Sequence, residues 1–238
     1  MEPLSLMLRE GTRSAHTMAE NVGFVKCFLK GTVEKSSYRQ LLANFYFIYG
    51  AMEAALERHR DHPVLSGLYF PVLYRRESLE RDLRYYFGVR WSEQVTMTAA
   101  AHRYVARIEE LANTAPELLV AHSYTRYLGD LSGGQILKEI AERAMGLSDG
   151  EGTAFYHFEA IPDAKAFKQQ YRQALDGLPV DEATARRITE EAIDSFRLNM
   201  QLFEELEGSL IRAIGQMLFN SLTRRRQRAP RNVIAASE

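Results

Sequence analysis

The chain has 238 residues, of which 46% are hydrophobic and 26% charged, so it can bury an ordinary core within one large domain. Thirty basic residues nearly balance 31 acidic ones, and the formal charge of −1 excludes an overall field that would attract nucleic acid. Cys27 is the only cysteine, which excludes an internal disulfide and fits a reducing cytosol. No signal peptide is evident, and the longest apolar stretch, near 45–52, is too short to span a bilayer. We therefore expect a soluble, cytoplasmic protein without a membrane anchor.

Apolar residues recur at helical spacing along the whole chain, and no segment shows the alternation of a strand, so the predicted fold is all-α. Capping boxes are expected at Ser37 and at Thr114, and Asp181 is expected to cap the last helix, in which Gly208 and Gly215 are candidate breaks. The predicted helices are 5–30, 37–56, 78–87, 98–112, 117–147, 162–177 and 181–222. The basic tail, 224–238, is expected to be disordered.

The fifth predicted helix contains three glycines in the middle of its pattern, and the rest of the chain is best understood around it. Each glycine costs a helix about 1 kcal/mol relative to alanine, which suggests that something large and flat approaches the backbone. On an ideal helix Gly129 and Gly133 share a face with Arg126 and Asp130. The helix would then present bare backbone beside one buried acid–base pair.

The glycines have two simpler interpretations. Gly133 and Gly134 would also suit the end of one helix and the start of another. The letters LSGGQ at 131–135 match the signature of ABC-type ATPases. The chain has no Walker A sequence, however, and the motif lies in a helical pattern with no preceding strand, so the ATPase is rejected.

A polar stripe on the first predicted helix supplies a candidate metal ligand. Its members Arg9, Arg13, His16 and Glu20 follow one another at helical spacing. A lone helical histidine is more often structural, but neutral imidazole is a good iron ligand, and a carboxylate one turn away can orient its other N–H. Two arginines on the same stripe could bind the carboxylates of whatever group carries the iron.

The motifs of other metal sites found in helical proteins are missing from the sequence. The sequence contains no Glu-x-x-His pair for a di-iron bundle, no C-x-x-C-H for covalent haem and no H-E-x-x-H for zinc. Haem held non-covalently by one histidine, against a helix with bare backbone, is the chemistry that remains. No other metal is expected.

Two long segments now identify a family. LREGTRSAHTMAEN at 8–21 and ELLVAHSYTRYLGDLSGGQ at 117–135 closely resemble the haem oxygenases, specifically the soluble cyanobacterial type. The resemblance continues through FKQQYR at 167–172 and LNMQLFEELE at 198–207. It implies that 1–223 forms a single compact multi-helix domain, with haem sandwiched between a proximal and a distal helix.

The resemblance also implies a reaction. Haem would be both substrate and cofactor, cleaved at its α-meso carbon to biliverdin IXα, carbon monoxide and ferrous iron with O2 and electrons from reduced ferredoxin. Bilin reductases would act downstream, and the protein would be a monomer. The competing hypothesis is a carrier or sensor that holds haem without degrading it. Asp130 argues against a carrier, which has little use for a buried carboxylate near the distal face.

The same resemblance assigns roles to individual residues. His16 is the expected iron ligand, Glu20 its partner, and Gly129 and Gly133 the distal wall, with Asp130 holding a water network. Tyr124 lies opposite Asp130 on an ideal helix, so a role at the haem requires a kink at the glycines. The remaining expected site residues are Arg126, Tyr49 and Asn199 in the distal network, Tyr124, Lys168, Arg172, Arg9 and Arg13 at the propionates, and Phe196 and Phe203 as apolar walls.

Overall fold

The computed structural model describes residues 2–31, 34–148 and 150–227, with side chains as far as 207. These residues form helices, turns and loops but no strand, which confirms the all-α prediction. The α-helices are α1 (Leu4–Gly11), α2 (Arg13–Glu20), α3 (Gly23–Leu29), α4 (Lys35–Arg58), α5 (Arg76–Phe87), α6 (Ala99–Thr114), α7 (Leu119–Ser123), α8 (Gly129–Met145), α9 (Ala164–Asp176) and α10 (Glu182–Gln227). A π turn, Tyr124–Leu128, joins α7 to α8, and short 3-10 turns include Pro71–Leu73 and Ala154–Tyr156.

The centre of the bundle is formed by α4 and α10. The first packs against α5 and α6, and the second against α1, α2, α3, α6 and α7. Helix α4 corresponds to the predicted helix 37–56, and its residues Ile48, Tyr49 and Met52 are fully enclosed in the core. Each buried side chain of this size contributes about 1.5–3 kcal/mol, so the two long helices form the frame on which the shorter helices dock.

Several helices begin or end at a single residue whose side chain or backbone conformation caps the helix. Asp163 and Asp181 cap α9 and α10, and each carboxylate accepts the backbone N–H three residues on, at 2.9 and 2.8 Å respectively. Gly88 and Gly146 end α5 and α8 with φ of 79° and 64°, a conformation that favours glycine. The predicted end of the 78–87 helix and the cap at Asp181 are confirmed, and α8 ends two residues before the predicted 147.

The first predicted helix is wrong in one respect, because 5–30 is divided into three short helices. The hydroxyl of Thr12 donates to the Leu8 carbonyl at 2.7 Å, in addition to the backbone N–H of Thr12 at 3.0 Å. The Asn21 amide donates to the Thr17 carbonyl at 2.8 Å, and Val22 then adopts an extended conformation. Each break therefore follows a side chain that bonds back to its own helix.

The two predicted capping boxes are also wrong. Ser37 lies inside α4, and its hydroxyl donates to the Glu34 carboxylate at 3.3 Å. Thr114 is the last residue of α6, and its hydroxyl donates back to the Glu110 carbonyl at 2.8 Å. Serine and threonine favour such local bonds at either end of a helix, so the box pattern alone does not fix a start.

The last helix extends beyond its prediction. It runs from Glu182 to Gln227 as one element, so Gly208 and Gly215 do not break it. Its end takes in the first four residues of the predicted tail, and 228–238 lie outside the described residues. Over the described parts of the chain, no helix is long and apolar enough to cross a bilayer.

Candidate functional site

A cavity of about 730 Å³ lies between the short N-terminal helices and the segment formed by the π turn and α8. Its volume falls within the range of about 300–1,000 Å³ that is usual for pockets binding organic molecules. One wall comes from α1, α2 and α3, the opposite wall from the π turn and α8, and α10 closes the side between them. The cavity therefore separates the two motifs that the sequence singled out.

Two of the three central glycines face this cavity. A Cβ atom added at Gly129 or Gly133 would meet nothing within 4 Å, and both residues line the cavity. At Gly134 a Cβ would instead lie 3.4 Å from Cδ1 of Tyr156. Because α8 is continuous from Gly129 onward, the alternative in which the glycines separate two helices is wrong.

The π turn explains how Tyr124 reaches the site. In a π-helix the hydrogen bonds run from residue i to i+5, so residues five apart lie one above the other. Tyr124 and Gly129 are five apart, and both line the cavity. The predicted kink at the glycines is therefore incorrect, because the change of register occurs in the turn before them.

A chain of hydrogen bonds gathers the predicted distal residues. The Tyr49 hydroxyl donates to Oδ2 of Asp130, and Nε of Arg126 donates to the Tyr49 hydroxyl at 3.0 Å. Nη1 of Arg126 donates to Oδ1 of Asn199 at 2.5 Å. The expected direct pair of Arg126 and Asp130 is therefore corrected: a phenol from α4 lies between them.

Burial shapes the acidity of this chain. It raises the pKa of Asp130, although the Arg126 charge and the Tyr49 hydrogen bond act in the opposite direction. It also raises the pKa of Tyr49 well above its ordinary value, so the phenol stays protonated at neutral pH and remains a donor. A carboxyl group with a raised pKa, held by a permanent donor, suits a group that takes up and releases protons.

The opposite wall carries His16 and Glu20, both on α2. Their side chains line the cavity and are 57% and 60% exposed. Nδ1 of His16 lies 3.7 Å from Oε1 of Glu20, which is longer than a hydrogen bond but close enough to orient the ring. The His16 ring meets Phe196 edge-on at 5.6 Å. The other imidazole nitrogen, Nε2, is thus the atom left for a ligand.

Cationic side chains cluster at one end of the cavity. Arg9 and Arg13 line it although a helix break separates them, and both form ion pairs with Glu10. Arg172 also lines it, and burial raises the pKa of Tyr124 against the lowering effects of Thr12, Arg172 and Arg9. The charges of Arg172 and Arg9 therefore act on the Tyr124 hydroxyl.

Lys168 lies farther from the cavity than predicted. Its Nζ donates to the Ser132 hydroxyl at 3.4 Å, and Ser132 lines the cavity whereas Lys168 does not. The predicted apolar walls, Phe196 and Phe203, both line it, and Phe203 stacks on Phe24 with 5.7 Å between ring centroids. Lys168 is thus a residue of the rim.

Sequence reasoning missed part of the lining. Phe155 and Tyr156 line the cavity from the 3-10 turn before α9, and Phe155 lies edge-on to Tyr49 at 5.4 Å. The run of aromatic residues after a glycine loop was the available signal, but nothing local shows what such a short piece contacts. The buried His122 does not line the cavity, and its Nε2 lies 2.9 Å from Oε1 of Glu191.

The sequence of the chain also matches the model of a known protein family, in agreement with the fold and the cavity. The family model described as heme oxygenase matches residues 2–205, and the chain therefore belongs to the haem oxygenase family. Membership supports haem degradation as its activity.

The relatives are similar over nearly the whole length. The chain is 61% identical over 236 residues to heme oxygenase 1 of Synechocystis sp. PCC 6803, which covers 99% of this chain and 98% of the relative. It is 60% identical over 233 residues to heme oxygenase 1 of Nostoc sp. PCC 7120, with 98% of each covered. The crystal structure of the Synechocystis heme oxygenase-1 in complex with heme matches with a TM-score of 0.88 at 62% identity, covering 92% of this chain and 99% of that one. The predicted resemblance to the cyanobacterial type is confirmed.

Proposed function

We propose that this chain cleaves haem at its α-meso carbon to biliverdin IXα, carbon monoxide and ferrous iron, using O2 and electrons from reduced ferredoxin. Bound haem supplies the iron at which dioxygen is activated, and it is also the molecule consumed. The observation that carries the proposal is the open glycine wall beside the Tyr49–Asp130 hydrogen bond, across the cavity from His16.

The residues present fit a haem. One imidazole, His16, faces the cavity with a carboxylate beside it, and this pair would hold a haem iron through the imidazole nitrogen. The glycine backbone at Gly129 and Gly133 leaves room for a flat group to approach. Phe196 and Phe203 would cover its apolar faces and edges. The cationic end would bind the two propionates through charge-assisted hydrogen bonds.

The distal residues would control where protons go. Tyr49 fixes Oδ2 of Asp130, while no group of the described chain donates to Oδ1, so Oδ1 can bind water in the cavity. Arg126 holds the Tyr49 hydroxyl in place and is itself held by Asn199. Asp130 would thus deliver a proton through ordered water from a fixed position, with no bulky side chain over the reacting face. A carrier has no need of such an arrangement.

Partners follow from the family resemblance rather than from the site. Reduced ferredoxin as the electron donor, bilin reductases as consumers of the product and a monomeric state are the properties that the cyanobacterial resemblance implies. They are proposed here together with the reaction.

A single reconstitution tests the function. Purified protein is mixed with haem, reduced ferredoxin and ferredoxin reductase, and the Soret band is followed in air. We expect the band to disappear as bilin absorbance and carbon monoxide appear, and chromatography should identify biliverdin IXα. The matched control omits ferredoxin. A Soret band that stays constant in the complete mixture would instead favour a haem carrier.

A further inference from the structure

A buried arginine outside the predicted site lies behind the distal wall. Arg75 precedes α5 and is 5% exposed. Its guanidinium donates to three backbone carbonyls, those of Leu73 at 3.0 Å, Phe155 at 3.4 Å and His157 at 2.6 Å. Its central carbon also lies 3.7 Å from the ring centroid of Phe158. A charged side chain is costly to bury, so an arginine used on carbonyl groups and one ring calls for an explanation.

One of the carbonyl groups that Arg75 binds, that of Phe155, belongs to a residue of the cavity wall, and the His157 carbonyl lies two residues farther along the same segment. Phe155 and Tyr156 line the cavity, Phe155 packs against Tyr49, and Tyr156 packs beneath Gly134. The amide of Gln135 also donates to the Tyr156 carbonyl at 3.1 Å. Any shift of this short segment would therefore move both the Tyr49 ring and the backbone of α8.

Two carboxylates also hold this segment and Arg75 through backbone N–H groups. Asp82 accepts the backbone N–H groups of Ala154 and Phe155, each at 2.8 Å. Glu53, one turn from Tyr49 on α4, accepts the backbone N–H of Arg75. The position of the guanidinium is therefore set by its own backbone as well as by the carbonyl groups that it binds.

Arg75 also belongs to the electrostatic surroundings of Asp130. The titratable groups that face Asp130 are Tyr49 on α4, Arg126 on the π turn, Tyr156 on the 3-10 turn and Arg75. Burial raises the pKa of Asp130, and Arg126, Tyr49 and Arg75 lower it, in that order. Loss of the Arg75 charge should therefore raise the pKa of Asp130.

We propose that Arg75 is a positioning residue of the distal side, which clamps the Phe155–His157 wall against Tyr49 and α8 and supplies a fixed positive charge near Asp130. The proposal deepens the proposed function and its catalytic meaning rests on it. The contacts of the guanidinium do not depend on haem, so the proposal can be tested on the haem-free protein.

The test is a titration of the Asp130 carboxyl carbon by NMR in haem-free protein, with the resonance assigned by its absence in Asp130→Asn. Arg75→Gln keeps an amide donor for the wall but removes the charge. We expect it to raise the pKa of Asp130, because a lowering charge is lost. In the reconstituted enzyme, the acid limb of bilin formation should move to higher pH.

Arg76 provides the matched control. It is the next residue, is 52% exposed and binds Tyr46 and Glu80, so Arg76→Gln should leave both titrations unchanged. Arg75→Lys, which also serves if Arg75→Gln does not fold, keeps the charge and should keep the pKa of Asp130. It should nevertheless accelerate amide exchange at Phe155 to Phe158, because an ammonium cannot replace the planar fork.

An Asp130 pKa that is the same in Arg75→Gln and Arg76→Gln would overturn the proposal, as would an Arg75→Lys protein that behaves like Arg75→Gln in the titration. Failure of the wild type to form biliverdin would contradict the proposed function alone, because the titration is done without haem.

Discussion

The two sides of the cavity are built in opposite ways. On the distal side Arg126 is buried and Tyr49 fully enclosed, and each is held by another side chain. On the proximal side His16 is more than half exposed, and its carboxylate neighbour Glu20 lies on the same short helix. The distal groups are thus fixed by the fold, whereas His16, the proposed iron ligand, is held by fewer contacts. Control of the chemistry should therefore depend on the distal side, and capture of the iron on the proximal side.

Replacing His16 is expected to have the largest effect, because it removes the proposed iron ligand from the proximal side. Loss of a partner that merely orients a metal ligand costs about 10–100-fold, so His16→Ala should lower bilin formation by more than about 100-fold. Because the side chain is exposed, the free energy of unfolding should change by less than about 0.5 kcal/mol. Added imidazole should restore part of the activity. Wild-type turnover in the variant, or a large loss of stability in urea, would contradict this division of roles.

Asp130→Ala is the corresponding change on the distal side. It removes the carboxyl group that Tyr49 binds but leaves the glycine wall and His16 in place. A positioned proton donor contributes about 100-fold or more, so bilin formation should fall by about that factor while haem affinity is retained. Hydrogen peroxide should then drive peroxidase-like oxidation of an added phenol. A normal yield of biliverdin would remove Asp130 from the mechanism.

Helical spacing in the sequence could place some of these site residues but not others. Helical spacing placed the two cavity-facing glycines, Arg126 and Asp130 on one face, and the structure gathers them there. The same spacing failed for Tyr124, because a π turn shifts the register and no local pattern marks the turn. The stripe with His16 lines the cavity even though the helix is broken at Thr12. A helix break that leaves the side chains on the same side of the molecule does not interrupt their helical spacing in the sequence, so the spacing does not reveal it.

The spacing of residues along a helix cannot predict contacts between distant parts of the chain. Tyr49 and Asp130 are 81 positions apart, and Arg126 and Asn199 are 73 apart, so only the family resemblance could bring them together. Arg75 was missed by both routes. It lies in a loop without a repeating pattern, and its partners are backbone carbonyl groups, which every residue carries.

A change at Glu191, on α10 and away from the cavity, should affect stability alone. Burial raises the pKa of Glu191, but hydrogen bonds from His122 and Arg107 outweigh it and lower the pKa to about 2. Since the unfolded value is higher, this stabilisation is present above about pH 4.5 and is lost as the pH falls through about 2. Glu191→Gln should therefore cost about 3 kcal/mol at pH 7.

Urea unfolding at pH 7 and pH 3.5 measures this effect, and the difference between wild type and Glu191→Gln should shrink at the lower pH. Glu110→Gln is the matched control, because Glu110 also binds Arg107, at 2.9 Å, but is 59% exposed. It should change stability far less. Equal losses for the two variants, or a loss that does not depend on pH, would show that the buried cluster is not what holds these helices together.

The smallest expected effect concerns which edge of the haem is cut, and it tests whether the cationic end of the cavity sets the orientation. The four meso carbons are chemically similar, so selectivity must come from how the haem is rotated, and its propionates are its only charged handles. The double change Lys168→Ala and Arg172→Ala should give mixed bilin isomers with His16 ligation intact. Affinity should fall only modestly, because most of the porphyrin surface is apolar and stays buried.

The structure separates the two residues of that pair. Arg172 lines the cavity beside Tyr124, whereas Lys168 reaches only Ser132 at its rim. Since a charge-assisted hydrogen bond is worth about 1.5–3 kcal/mol, Arg172→Ala alone should allow minor isomers to reach about a tenth of the product, and Lys168→Ala alone should leave the α isomer nearly pure. Chromatography of the bilins decides between them. If the double variant still gives a pure α isomer, the apolar walls at Phe196 and Phe203 set the orientation and the exposed charges do not.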